Sequence, residues 1–160
     1  MGSGKSTIGK MLTEKINSEF IDTDQKIEEF MNMSITEIFN SFGESKFREM
    51  EESYFAEKSQ TNGLIFSTGG GIILSQKNRD ILKKSKFSIY LKAQPRILAK
   101  RVQKKQFKRP LLNTNIPIIN KLTEIYLERN HLYEQSSSFV IETDNLSKEE
   151  KFNEVIACLP

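Results

Sequence analysis

The chain has 160 residues, with 24 lysines and arginines against 21 aspartates and glutamates, a formal net charge of +3, and one cysteine. That length fits a single compact domain with a real core, and no apolar run is long enough to span a membrane. Cys158 alone excludes a disulfide framework, and the first residues carry no secretory pattern. The lone cysteine suits a reducing cytoplasm, and the mild, scattered charge suits anionic small molecules and needs no nucleic-acid partner.

Gly2-Ser3-Gly4-Lys5-Ser6-Thr7 is the closing part of a G-x-x-x-x-G-K-[ST] phosphate-binding loop. Its glycines let the backbone turn tightly and aim N–H groups at phosphate oxygens. Lys5 is expected to reach the β- and γ-phosphates of a nucleotide, and the Ser6 hydroxyl to hold Mg²⁺. Ile8, Met11, Leu12 and Ile16 follow with the spacing of one helix face, so a helix should begin in the loop and add its positive dipole end to the anion site.

Strand and helix signals then alternate, which predicts an α/β layer fold with a parallel sheet. Glu19-Phe20-Ile21 reads as a short strand entering Asp22-Thr23-Asp24, and residues 26–31 read as a helix. Ser34 and Glu37 have capping-box spacing; Gly43 should end that helix, and a charged helix should follow over 44–58. Leu64-Ile65-Phe66 is a strand ending at Gly69-Gly70-Gly71. Residues 87–91 form a strand, and Pro95 opens a helix through Arg101. Residues 103–115 are polar, basic and interrupted by proline, which suits a lid. A helix over 118–134, a strand over 139–141 and a second capping box at Ser147 and Glu150 complete the chain.

Several residues stand out chemically. Asp22 and Asp24 lie at the C-terminal end of a strand, which faces the ligand crevice in open α/β sheets. They can hold metal-bound water and orient a hydroxyl, although Asp24 could also be only a helix cap. The triple glycine is either a flexible turn or bare backbone for close ligand approach. Arg48 and Glu51 share a helix face, as in many surface ion pairs. Arg109 and Arg129 taken singly read as surface charge. His131 and Cys158 have no metal-ligand spacing.

In order, the chain carries G-S-G-K-S-T at 2–7, D-T-D at 22–24 and I-F-x-x-x-G-E-x-x-F-R-x-x-E at 38–51. S-T-G-G-G follows at 67–71, R-P-L-L at 109–112 and E-R-x-x-L-Y at 128–133. The set resembles the shikimate kinases along nearly the whole chain. The resemblance implies transfer of the ATP γ-phosphoryl to the 3-hydroxyl of shikimate, on the way to chorismate and the aromatic amino acids. It implies a single domain over 1–160, with a substrate-binding segment at about 24–60 and a lid at about 103–115. It also implies Asp24 as the carboxylate that binds ring hydroxyls and orients or deprotonates the nucleophile. Arg48 and Arg129 would grip the substrate carboxylate, and Gly70 would offer a backbone donor. Arg109 would close over the phosphates, Arg101 would lie near the adenine, and Gly2 to Thr7 would cradle ATP. Ser6 would bind Mg²⁺ directly and Asp22 through water. A monomeric three-layer α/β/α fold with strand order 2-3-1-4-5 is expected. Family members carry a further strand ahead of the loop, so the resemblance predicts a start assigned at an internal methionine or a shortened chain. A kinase of another small hydroxylated acid, such as gluconate, and a non-catalytic binding domain are the alternatives.

Overall fold

Helix and strand alternate along the chain as the periodicity predicts, and the computed structural model describes residues 2–102 and 116–159. The expected lid, with Arg109, lies outside the described residues. Helix α1 (Lys5–Ile16) leads to strand β1 (Glu19–Asp22), α2 (Thr23–Met31), α3 (Ile35–Lys58) and β2 (Leu64–Ser67). A 3₁₀ turn (Ile72–Leu74) precedes α4 (Gln76–Lys84), β3 (Ile89–Lys92) and α5 (Pro95–Val102). Helix α6 (Ile118–Ser136), β4 (Phe139–Glu142) and α7 (Lys148–Ala157) follow.

All strand pairing among the described residues is parallel. β1 pairs with β2, placing Asp22 opposite Ser67, and β3 pairs with β4. The strands thus form two parallel pairs. One core joins them: Ile8 and Leu12 of α1 pack with Leu91, Ile141 and Val155, and Ile65 and Ile89 lean against the same cluster. Parallel strands carry side chains on both faces, so each needs helices to cover it; α1 and α7, which touch each other, supply part of that cover.

The local signals explain most boundaries. Ser34 with Glu37, and Ser147 with Glu150, form reciprocal capping boxes at the starts of α3 and α7. Gly43 breaks the helical backbone as expected: with φ 80 and ψ 162 it separates two helical stretches that meet at a kink within α3. The 3₁₀ turn and α4 carry no clear periodicity. Ser75 starts α4 by accepting the Asn78 N–H at 3.2 Å while donating to Glu52 Oε2 at 2.6 Å. That second partner is tertiary and invisible in the local sequence.

A second core, formed by Ile27, Ile38 and Phe47, locks α2 onto α3, and it sets where Asp24 and Arg48 sit relative to each other. Ile38 is fully buried. Ile38→Ala should therefore lower unfolding free energy by about 2–5 kcal/mol in urea titration with the slope unchanged. Phe30 is 85% exposed, and Phe30→Ser should stay within about 0.5 kcal/mol.

Candidate active site

The phosphate loop meets α1 at Gly4, whose φ of 103 is open to glycine and strained for a residue with a Cβ. No side chain caps the first turn of α1, which suits a helix end that presents its N–H groups to an anion. Ser3 is buried and Lys5 is the first helical residue; Ser6 and Thr7 follow it at the exposed helix start. Behind the loop, Gly2 lies against Val102 and Arg101 of α5. Arg101 is anchored by donating to the Thr143 carbonyl at 2.7 Å and to Thr143 Oγ1 at 3.4 Å.

The register of β1 against β2 brings the ends of both strands to α1. The Ser6 hydroxyl donates to Asp22 Oδ2 at 2.9 Å and lies 3.0 Å from Ser67 Oγ. Asp22 Oδ1 accepts the Gln25 N–H at 3.5 Å and so caps α2. The cap role weighed for Asp24 thus belongs to Asp22, and Asp24 sits inside the first turn of α2. Thr23, fully buried, accepts the Gly69 N–H at 3.2 Å and donates to the Ser67 carbonyl at 3.5 Å, tying the two strand ends together. Three oxygen groups from Ser6, Asp22 and Ser67 form a set that suits a hard cation. No group of three or more His, Cys, Asp and Glu among the described residues could hold a metal. Mg²⁺ fits this arrangement, because it binds through one or two protein oxygens plus waters and phosphate.

The triple glycine is the centre of the second half of the site. A Cβ at Gly69 would lie 2.4 Å from Asp24 Oδ1 and 2.6 Å from Glu51 Oε1, and one at Gly71 would lie 2.1 Å from Arg48 Cζ. A side chain at either position would displace the tips of those charged side chains, so the bare backbone is what lets them meet at the turn, which favours close approach over a merely flexible turn. Arg48 Nη1 donates to Glu51 Oε2 at 2.6 Å, and Nη2 donates to Glu44 Oε1 at 2.9 Å. Glu51 is only 1% exposed, and its Oε1 has no hydrogen-bond partner. Burial pushes the Glu51 carboxyl up against the opposing pull of Arg48. What reads in sequence as a surface ion pair is a buried one.

Arg129, also buried, donates from Nη1 to the Gly70 carbonyl at 3.4 Å, and its charge acts on Glu51. Tyr133 donates its hydroxyl to the same carbonyl. Asp24, Arg48, Gly70 and Arg129 thus lie around the glycine turn with Glu51 and Tyr133, and Ser67 lies beside Ser6 and Thr23 at the end of β2. Each of Glu51, Ser67 and Tyr133 sits in a motif noted above, at a position where only burial reveals its importance. A cleft runs between this turn and the phosphate loop, with Ser3, Lys5, Gly70, Tyr90 and Tyr133 in its walls.

Known proteins are similar to this chain in sequence and in fold. A family model described as shikimate kinase matches residues 1–160. Shikimate kinase of Buchnera aphidicola is 40% identical over 147 residues, covering 92% of this chain and 84% of its own. That of Aliivibrio fischeri is 37% identical over 159 residues, covering 99% and 91%. The solved shikimate kinase of Acinetobacter baumannii, in complex with shikimate, superposes with a TM-score of 0.91 at 31% identity, over 98% of this chain and 86% of that one. With the fold, the six motifs and near full-length relatives in agreement, the chain belongs to the shikimate kinase family.

Proposed function

We propose that this ATP-dependent enzyme moves the γ-phosphoryl of ATP to the 3-hydroxyl of shikimate with the residues gathered around the triple glycine and the phosphate loop. The observation that carries the reading is the steric one: Gly69 and Gly71 bring bare backbone against Asp24, Glu51 and Arg48, where a Cβ would displace those charged groups. An acid, a base and two guanidinium groups then share one wall beside a phosphate-binding helix end.

Each role follows from the chemistry of the group. Arg48 and Arg129 present planar forks that match a carboxylate, which fixes the ring of a hydroxy acid in the cleft. The Gly70 backbone donates to the substrate from a turn that cannot drift. Asp24 accepts from the 3-hydroxyl and holds the proton that leaves it during attack. Lys5 and the loop amides of Gly2 to Thr7 hold the β- and γ-phosphates in line with that oxygen. Arg101, anchored beside the loop, serves the adenine end. Arg109 closes over the phosphates, a role carried by the R-P-L-L motif alone. Ser6 would hold Mg²⁺ directly and Asp22 would hold it through water; the ion neutralises phosphate charge when bound. The same reading carries the family's five-strand order, 2-3-1-4-5, with β1 and β2 as one flank and β3 and β4 as the other. The single core shared by the two pairs supports that order. A monomer with shikimate and ATP as its partners is the matching assembly; no described helix is long and apolar enough to cross a membrane.

A coupled assay tests the reading directly. ADP should form only when shikimate, ATP and Mg²⁺ are all present, and folded protein that binds ATP without shikimate-dependent turnover would overturn the assignment. Arg48→Lys keeps the charge but loses the fork, so shikimate affinity should fall by about 10–100-fold with ATP affinity unchanged. Calorimetry with each ligand separates this from a general defect, which would weaken both. Asp24→Asn keeps the shape and removes the base, and kcat should drop by about 10²–10⁴-fold in a protein of unchanged melting temperature. Near-normal turnover would remove Asp24 from the chemistry.

A further inference from the structure

One residue of the E-R-x-x-L-Y motif has no role in the reading above. Tyr133 lies four residues after Arg129, one turn along α6, and both donate to the Gly70 carbonyl oxygen. The arginine bond is the longer of the two, at 3.4 Å. Arg129 also has a second task, because its guanidinium is needed for the substrate carboxylate. The tyrosine has none, and it is held on every side. Its ring stacks on Tyr90 with centroids 4.8 Å apart and planes 21° from parallel. The Tyr90 hydroxyl in turn donates to Asn130 Oδ1 at 3.1 Å, back on α6. Tyr133 is thus clamped between β3 and its own helix, with only the hydroxyl directed at the glycine turn. Burial pushes that hydroxyl up to about 12, so it remains a neutral donor throughout the working pH range.

The carbonyl it grips matters because of its covalent neighbours. The Gly70 carbonyl and the Gly71 N–H share one rigid peptide plane. Gly71 lies against the Arg48 guanidinium, so the orientation of that plane decides how the turn sits against Arg48. Glycines have no side chains to hold a chosen rotation, and a run of three needs an external anchor. Arg129 reaches that carbonyl only through Nη1 at 3.4 Å, and its other N–H groups remain for a carboxylate, so the closer Tyr133 hydroxyl is the main anchor.

We infer that Tyr133 is a positioning residue for the acceptor substrate: its hydroxyl pins the Gly70 carbonyl, which keeps the glycine turn in place while Arg129 addresses the substrate carboxylate with its remaining N–H groups. The inference rests on the shikimate reading of the site. It assigns to Tyr133 an effect on one substrate only, because the turn faces the acceptor while ATP is held by the loop before α1.

Tyr133→Phe removes the hydroxyl and retains the stacking ring. In steady-state assays of the full chain, KM for shikimate should rise about tenfold, as expected for one lost hydrogen bond to a buried carbonyl. KM for ATP, kcat within a factor of about two, and the melting temperature should be unchanged. An unchanged shikimate KM, with the unsubstituted protein active, would overturn the inference and leave the functional reading intact. A parallel rise in both KM values, a lowered melting temperature or a failure to fold would overturn it too, since the hydroxyl would then serve the fold. If the unsubstituted protein itself ignores shikimate, the functional reading falls first and the inference falls with it.

Discussion

The site depends on how closely a backbone without side chains approaches three charged groups. The turn at 69–71 passes so near Asp24, Glu51 and Arg48 that any Cβ at its ends would overlap them, at separations of 2.1–2.6 Å. That approach lets α2, α3 and α6 address one small volume from three directions. Placing alanine there would push the charged tips of Asp24, Glu51 or Arg48 aside, because the cores beneath α2 and α3 hold the helices themselves in place. The glycine turn and the Ile27, Ile38 and Phe47 cluster therefore work as one device. The cluster fixes the helices, and the turn fixes the distance between their charged ends.

The charges around the turn are unequal in how they can be exchanged. Arg48 divides its donors between Glu44, whose side chain is 42% exposed, and Glu51, which is 1% exposed. Breaking the Glu44 bond returns a carboxylate to water and costs little. Breaking the Glu51 bond would leave a carboxylate buried beside Asp24 without its cation, which is far more costly. Glu51 is therefore the permanent partner that orients the guanidinium. Glu44 is the partner that is readily exchanged. The orientation of the Arg48 guanidinium follows from this difference in burial rather than from any feature of Arg48 itself.

The legible part of the fold was the part written in local signals. The phosphate loop, the two capping boxes and the strand ends at Asp22 and Ser67 all appear where their spacing places them, because each is determined by residues within a turn of one another. The 3₁₀ turn and α4 were not legible, since Ser75 is held by Glu52 from a distant helix. Gly43 was readable as a stop, and its backbone is non-helical at φ 80 and ψ 162; what the sequence did not show is that the two helical stretches abut there with no intervening loop. The site shows the same division. Asp24, Arg48, Gly70 and Arg129 were readable because they lie in motifs whose combination is specific. Glu51 was visible as a neighbour of Arg48, but only its burial turns a common surface pairing into a fixed element of the site.

Tyr133 marks where reading by motif ends. In sequence it is an aromatic residue near the end of a helix, and such residues are most often core. Its ring is indeed core, packed with Ile72, Ile73 and Leu132 and stacked on Tyr90. One atom distinguishes it from a packing residue, the hydroxyl directed at the Gly70 carbonyl. A buried phenol without a partner would be costly, so an acceptor was to be expected. Which acceptor it takes depends on α6 lying beside the glycine turn, and that proximity arises from contacts between elements about sixty residues apart. Sequence periodicity carries the fact of burial. Only the assembled fold determines what the buried polar atom holds, and here it holds the one peptide that cannot hold itself.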